Sequence, residues 1–441
     1  MLVIVSDLHL SDGSLRPTVP AAAMEFFAGK LNELALAAGF RSDGRYRPID
    51  TIDLVLLGDV LDLIRSAQWL STDARPWHDP HSTSLFDAVS RVTADVLDHN
   101  AAALEILRQL AWGDAVGVPV RIHFMVGDHD WPLHLPGENY DRLRALVVER
   151  MGLANRADLP FPHDPAEGEE LLEVLRRHRV HARHGDIYDP IHFESDRNTS
   201  SLGDALSIEL FARFQLKMCR FAGELPDQTL AGLAELDDVR PMLLAPAWID
   251  NVLEHTCNSA SARSDVRAIW DRLVEQLLES TAVRSREAWN PVDLVDGLAE
   301  SLLFRRRARS NHRHSNGTGL AECFNGDGDP SETYRRHALS EVAFRNGDAK
   351  YVVYGHTHQA EFVPHESNLA TGRAPDPIYF NAGTWRHVIS PTHRSPANTL
   401  TYLAFYEQDE RSGCPFETWT GSWARPSIGK LIHRFDSSRA A

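Results

Sequence analysis

The 441-residue chain is sparing with three things, and each shortage removes a class of protein. Its four cysteines, Cys219, Cys257, Cys323 and Cys414, include no C-x-x-C pair. That spacing excludes a zinc knuckle and a disulfide framework, so reduced thiols in a cytoplasmic protein are the expectation. Long hydrophobic runs are missing as well. A membrane span needs roughly 20 apolar residues, whereas the opening "MLVIVSDLHL" turns polar almost at once; neither a transmembrane segment nor a signal h-region is expected. Cations, finally, are in deficit: 45 Lys and Arg against 62 Asp and Glu leave a formal charge of -17. Nonspecific binding to nucleic-acid phosphates depends on clustered cations, so duplex DNA or RNA is a disfavoured partner, although a local basic groove stays open.

What the chain does have is a series of short β-branched runs that each end in a polar cluster: "LVIVSDLH", "TIDLVLLGD", "VRIHFMVGDHD", "RVHARHGD", "KYVVYGHTH" and "PIYFNAGTW". Such runs, bounded by Gly and Asp, read as buried strands. Helical patterns at Met24 to Ala38 and Leu85 to Leu110 fall between the first ones, which is the alternation of a layered α/β domain. From about Thr199 to Arg345 strand-like runs vanish and apolar residues recur at helical spacing, as in Leu206, Leu210, Phe214, Met218 and Phe221. The stretch "ELFARFQLKMCRFAG" reads either as a lipid-facing surface or, preferably, as a helix packed into a local core. An Arg-, Asn- and Gly-rich loop is expected at about 305–330, and it is expected to be mobile. Strands resume at Tyr351, with "TLTYLAFYE" and "GKLIHRF" closing the fold. The predicted division is a core of 1–195 and 348–441, with 196–347 inserted as a helical cap.

In layered α/β sheets functional residues gather beyond the carboxyl ends of strands. There the sequence collects Asp7, His9, Asp59, Asp62, Asp128, His129, Asp130, His184, His356 and His358. Taken singly, each acid would be a turn or helix cap. Together, imidazole and carboxylate suit Mn, Fe or Zn, and the set exceeds what one four-coordinate ion needs. Two ions fit better, and two ions sharing a carboxylate form a device for in-line attack at phosphorus. Asp130 has two readings, a cap or a support for its neighbours. Trp131 either stacks on a substrate ring or packs inside. Asn381 and Arg386 follow the last motif strand; the arginine either binds phosphate or forms an ion pair.

With "DLH" at Asp7, "GDVLD" at Gly58, "GDHD" at Gly127, "HGD" at His184 and "GHTH" at Gly355, the chain resembles the calcineurin-like metallophosphoesterase family over roughly 1–195 and 348–441. "SDLHL", "HGD" and "NAGTWR" resemble its UDP-diacylglucosamine pyrophosphohydrolase branch more weakly. The resemblance implies a two-sheet α/β sandwich and two divalent ions, Mn first, then Fe, Zn or Mg. It would place Asp7, His9 and His358 on one ion, Asp59 on both, and Asp128, His184 and His356 on the other. His129 would protonate the leaving oxygen, held by Asp62. Asp128 stands where the family most often has Asn; its extra negative charge would favour a less highly charged ester or a trivalent ion. The activity so implied is hydrolysis of a phosphodiester or pyrophosphate bond in a small nucleotide-like substrate by a metal-bridging hydroxide. A nuclease of the same family and a catalytically silent scaffold are the alternatives. Oligomeric state is not written in the sequence.

Overall fold

A computed structural model describes residues 1–113, 116–221, 223–287, 294–305, 330–364, 378–389 and 399–422. Strands β1 (Leu2–Val5), β2 (Ile52–Leu57) and β3 (Val120–Met125) are parallel neighbours, with Ile4 opposite Val55 and Leu56 opposite Phe124. Strands β4 (Val180–Ala182), β5 (Tyr351–Tyr354), β6 (Ala360–Pro364) and β7 (Ile378–Ala382) form a second sheet in the order β4-β5-β7-β6. Antiparallel β8 (Thr399–Phe405) and β9 (Phe416–Ser422) extend the first sheet to β3-β2-β1-β8-β9.

The two-residue period of a strand decides what lies between the sheets. Leu2, Ile4, Val55, Leu57 and Phe405 meet Val353, Phe380 and Ala382 in one buried cluster, so the sheets pack face to face. The alternate residues Val3, Val5, Leu54 and Leu56 turn outward onto helices α1 (Ala21–Ala38), α2 (Thr83–His99), α3 (Ala101–Ala111) and α4 (Glu138–Met151). Burial on both faces is why these strands read as unbroken apolar runs. Val352, Tyr354 and Tyr379 on the outer face of the second sheet pack against Tyr334 and Ala338 of the Pro330–Ser340 helix.

Two expectations shift. The Leu85–Leu110 pattern is two helices, because the Asn100 side chain at their junction donates to the Ser11 and Val96 carbonyls at 2.8 and 2.7 Å and accepts from the Thr18 hydroxyl at 2.6 Å. Tying the junction to the loop after β1 breaks the run. Among the described residues the last strand is "FETWTGS", which alternates in burial at a sheet edge; "GKLIHRF" lies outside the described residues. So does the loop expected at about 305–330, except at its ends.

Between β4 and β5 the described residues form no strand, and helices at Arg213–Cys219, Asp227–Ala234, Ala245–Thr256 and Ala260–Glu279 gather around a separate apolar cluster. Phe211 and Phe214 stack edge-on against Trp270 there, so "ELFARFQLKMCRFAG" takes the packing alternative. Among the described residues no helix is long and apolar enough to cross a membrane.

Candidate metal centre

The loops leaving β1 and β2 are zipped to each other past the ends of their strands. Asp7, His9 and Leu10 donate their backbone N–H to Gly58, Asp59 and Val60, and Asp62 donates back to Leu10. Glycine is required where these loops close in. A Cβ on Gly127 would fall 2.3 Å from an Asp59 oxygen, and one on Gly355 would fall 2.1 Å from the Ser6 hydroxyl. The glycines of the G-D and G-H motifs are thus the reason the polar side chains can crowd together.

They crowd at a cost in backbone strain. Asp7, His9, Asp59, His356 and His358 all have positive φ, between 47 and 65°. That region is unfavourable for side-chain-bearing residues, and such strain concentrates where the surrounding structure needs it for a site.

Two donor groups result, joined by one carboxylate. In the first, His9 Nε2 and His358 Nε2 stand 3.0 Å apart, with Asp7 Oδ1 at 3.3 Å from the latter. In the second, His184 Nε2 lies 3.3 Å and His356 Nδ1 2.9 Å from Asp128 Oδ1. Asp59 Oδ2 sits between them, 3.6 Å from His9 Nε2 and 3.4 Å from His184 Nε2. Metal–ligand bonds of about 2.0–2.2 Å put neighbouring donors about 3 Å apart, which is the spacing seen. The donor set also fits by its loose ends: Asp7 Oδ1 and His184 Nε2 are buried with no hydrogen-bond partner. Of the predicted ligand set, Asp7, His9 and His358 thus gather in one group and Asp128, His184 and His356 in the other, while Asp59 gathers with His9 and His129.

The remaining atoms of these side chains are fixed by the fold. His184 Nδ1 donates to the Leu57 carbonyl at 2.9 Å, which turns its Nε2 lone pair inward. Asp7 Oδ2 accepts the His356 N–H at 3.1 Å, and Asp59 Oδ1 accepts the His129 N–H at 2.8 Å. His129 itself joins neither group. Its Nδ1 faces Asp62 Oδ1 at 2.8 Å, which aims Nε2 past Asp128 Oδ2, 3.6 Å away.

Electrostatics follows from packing so many acids together. Burial raises the Asp7 carboxyl to about 6, with the Asp59 charge adding to it. Burial drives His9 down to about 3, while His356, despite burial, is raised to about 10 by Asp128 and Asp189. Burial and Arg65 lower the His129 pKa, but Asp62 and Asp59 outweigh them and raise it. The pocket thus divides: acids raise His129, His184 and His356, whereas burial lowers His9 and His358, so the anionic surplus suited to a cation is concentrated around Asp59 and Asp128.

The structure decides the residues that the sequence left with two readings. Asp130 is a support: Oδ2 accepts the N–H groups of Val60 and Leu61 at 2.8 and 3.3 Å, and Oδ1 accepts that of Gly127 at 2.7 Å. It makes no cap to the turn that follows it. Trp131 takes its packing reading and Asn381 supports a motif turn; both are buried. The Trp131 indole packs into the core below the motif and donates to Asp204 Oδ2 at 3.1 Å. Asn381, inside β7, donates to the Gly355 carbonyl at 2.7 Å and so holds the G-H-T-H turn. Arg386 donates to the Pro17 carbonyl at 2.6 Å and borders a cavity of about 430 Å³ that it shares with His358 and Thr384.

Sequence reasoning missed Asp189 and gave His192 no role. Asp189 Oδ2 accepts from His356 Nε2 at 3.1 Å, and His192 Nδ1 meets Asp128 Oδ2 at 2.7 Å. The signal that could have found Asp189 is its place just after "HGD" in "HGDIYDP", at the mouth of the same strand. No family model matches the chain, and no curated protein is significantly similar to it.

Proposed function

We propose that the chain is a dinuclear metal-dependent phosphoesterase of the calcineurin-like kind. It hydrolyses a phosphodiester or pyrophosphate bond in a small nucleotide-like substrate. The observation that carries the reading is the pair of donor groups sharing Asp59, with left-handed backbone at five of the positions involved. Asp7, His9, His358 and Asp59 would hold one ion, and Asp59, Asp128, His184 and His356 the other. Mixed oxygen and imidazole donors suit Mn first, with Fe, Zn or Mg as alternatives. When bound, the ions supply a nucleophilic water and neutralise charge on the phosphoryl oxygens.

The chain's own residues do the rest. Asp62 holds Nδ1 of His129, so Nε2 is presented to the leaving group. As the phosphorus–oxygen bond breaks, that nitrogen gives its proton to the departing oxygen, so an alcohol leaves neutral and a phosphate leaves with one negative charge fewer. Asp130 keeps the β2 and β3 loops in register, so His129 stays within reach of the reacting bond.

A metal-supplemented screen of aryl phosphomonoesters, bis-p-nitrophenyl phosphate and nucleoside pyrophosphates tests the reading, with His129→Ala as the blank. The variant should retain its metal and lose roughly 10²- to 10⁴-fold in rate, the usual worth of a general acid. A wild-type protein that takes up no metal and cleaves none of these substrates would instead be a silent scaffold.

A further inference from the structure

Four arginines far apart in sequence come together against the His358 and Asp62 side of the metal centre. Arg16 follows β1, Arg65 follows the "GDVLD" motif, Arg240 comes from the helical segment, and Arg386 follows β7. Arg16, Arg65 and Arg386 are 5, 3 and 9 % exposed.

Their partners do not balance them. Arg16 NH2 and Arg386 NH2 share one oxygen of Asp238, at 3.7 and 3.9 Å. Arg65 NH1 stands 3.9 Å from Asp62 Oδ2, too far for a hydrogen bond, while the other oxygen of that carboxylate faces His129. Arg240 spends its NH1 on the Asp237 and Val239 carbonyls. Asp237, the remaining acid, accepts from Gln215 at 2.8 Å. All three guanidinium nitrogens of Arg16 lack a hydrogen-bond partner, as do Arg65 NH1 and Arg386 Nε.

Buried guanidinium donors without acceptors are costly, and a surplus of buried positive charge costs several kcal/mol per ion until an anion meets it. Mutual repulsion is visible in Arg386, lowered to about 9 by burial and by Arg16, and in Arg240, lowered to about 10 by burial, Arg65 and Arg16; Arg65, next to the acids of the centre, is instead raised by Asp62, Asp237, Asp59 and Asp128 despite its burial, so the surplus lies on the Arg16, Arg240 and Arg386 side. In a chain of net charge -17, a local surplus of this kind is against the general trend. Planar forks of this type match phosphate oxygens two at a time.

We propose that Arg16, Arg65, Arg240 and Arg386 form a subsite for a second phosphate group of the substrate, one that is not attacked. This rests on the phosphoesterase reading and deepens it: of the two bond types proposed, it selects the pyrophosphate link. The phosphoryl group that is cut lies at the metal centre, and its neighbour is held on the arginines beside His358. The helical segment enters recognition through Arg240, whose backbone N–H donates to Ile389 at 2.8 Å and ties that segment to the loop carrying Arg386.

The test compares two substrates and one ligand on the full-length protein. Hydrolysis of bis-p-nitrophenyl phosphate, which has no second phosphate, is measured beside hydrolysis of ADP-ribose for wild type, Arg16→Gln and Arg16→Lys. Binding of inorganic pyrophosphate is measured by calorimetry on the metal-loaded and the chelator-treated protein. Arg16→Gln should raise the KM for ADP-ribose roughly 10- to 100-fold more than that for the aryl diester, as expected for lost charge-assisted hydrogen bonds. Pyrophosphate affinity should fall by a similar factor with or without metal, and Arg16→Lys should recover part of both. Equal losses on the two substrates, or unchanged pyrophosphate affinity in both variants, would overturn the subsite. If no substrate is cleaved yet pyrophosphate binding still depends on Arg16, the phosphoesterase reading fails while the anion subsite stands. Inorganic phosphate binding as tightly as pyrophosphate would mark a site for free anion and overturn the substrate role.

Discussion

Two regions build the centre in different ways. The sheet ends supply the donors, each from a short motif directly after a strand, in backbone conformations that leave little freedom. The chain between Asp189 and Arg240 supplies the neighbours: Asp189 on His356, His192 on Asp128, Asp204 on Trp131, and Arg240 in the arginine cluster. The difference teaches that position and charge are set separately. Changing a sheet-end residue should remove the centre, whereas changing its neighbours should retune it.

The largest effect is expected at Asp59, one oxygen of which lies 3.6 Å from His9 Nε2 in the first group and 3.4 Å from His184 Nε2 in the second. Asp59→Ala should leave neither ion bound and bring turnover to background, read by elemental analysis and by the screen above. One ion retained at normal affinity would show that the groups do not share this residue, and the comparison would lose its centre.

How much of this could be read beforehand follows from the same contrast. The donor residues were legible because each sits in a short motif with its own glycine, and at Gly127 and Gly355 that glycine answers the close approach of another motif. The strands were legible because burial on both faces makes them continuously apolar. Arg16, Arg65 and Arg240 were not legible as a cluster, because they come from three distant segments, Arg16 meeting Asp238 far along the chain, and a lone arginine in a loop usually reads as solvated. The break at Asn100 was hidden for the same reason: its acceptor at Ser11 lies 89 residues away. At Trp131 the sequence left stacking on a substrate ring beside packing, and the indole turns into the core.

Asp130 belongs to the sheet-end region although it donates nothing to either group. Asp130→Ala would leave the buried N–H groups of Val60, Leu61 and Gly127 without their acceptor. At about 1–3 kcal/mol for each unsatisfied buried donor, discounted for relaxation, roughly 3 kcal/mol of stability should be lost. Denaturant unfolding checks this; a loss below ~1 kcal/mol would mean the β2 and β3 loops hold their register without it.

Asp204 tests the other region through pH. Burial raises its carboxyl to about 6, against 3.8 ordinarily. The unfolded chain therefore releases this proton first as pH rises. The stabilising contribution is fully present below about pH 4 and lost as pH climbs through about 6. Asp204→Asn cannot titrate, so wild type should lose ~2–3 kcal/mol relative to it across that window, read by unfolding at a series of pH values. Parallel curves would show that the indole of Trp131 and the Ser201 N–H already stabilise the charged form in full.

Asp128 is where the two regions meet, and it gives the smallest and most selective prediction. Its inner oxygen faces His184 and His356, but its outer oxygen faces His192 at 2.7 Å. With ions bound, the extra charge relative to Asn would therefore be shared between them and an imidazole from outside the motifs. Asp128→Asn makes the centre more positive and should move the monoester-to-diester rate ratio up about tenfold, ~1.4 kcal/mol. His192→Asn removes the shared partner, leaves the full charge of Asp128 to the centre, and should move the ratio the other way by less. Opposite shifts with metal content unchanged would show selectivity set from outside the sheet ends. Shifts in the same direction would mean His192 only holds Asp128 in place, and the two regions would then act as one.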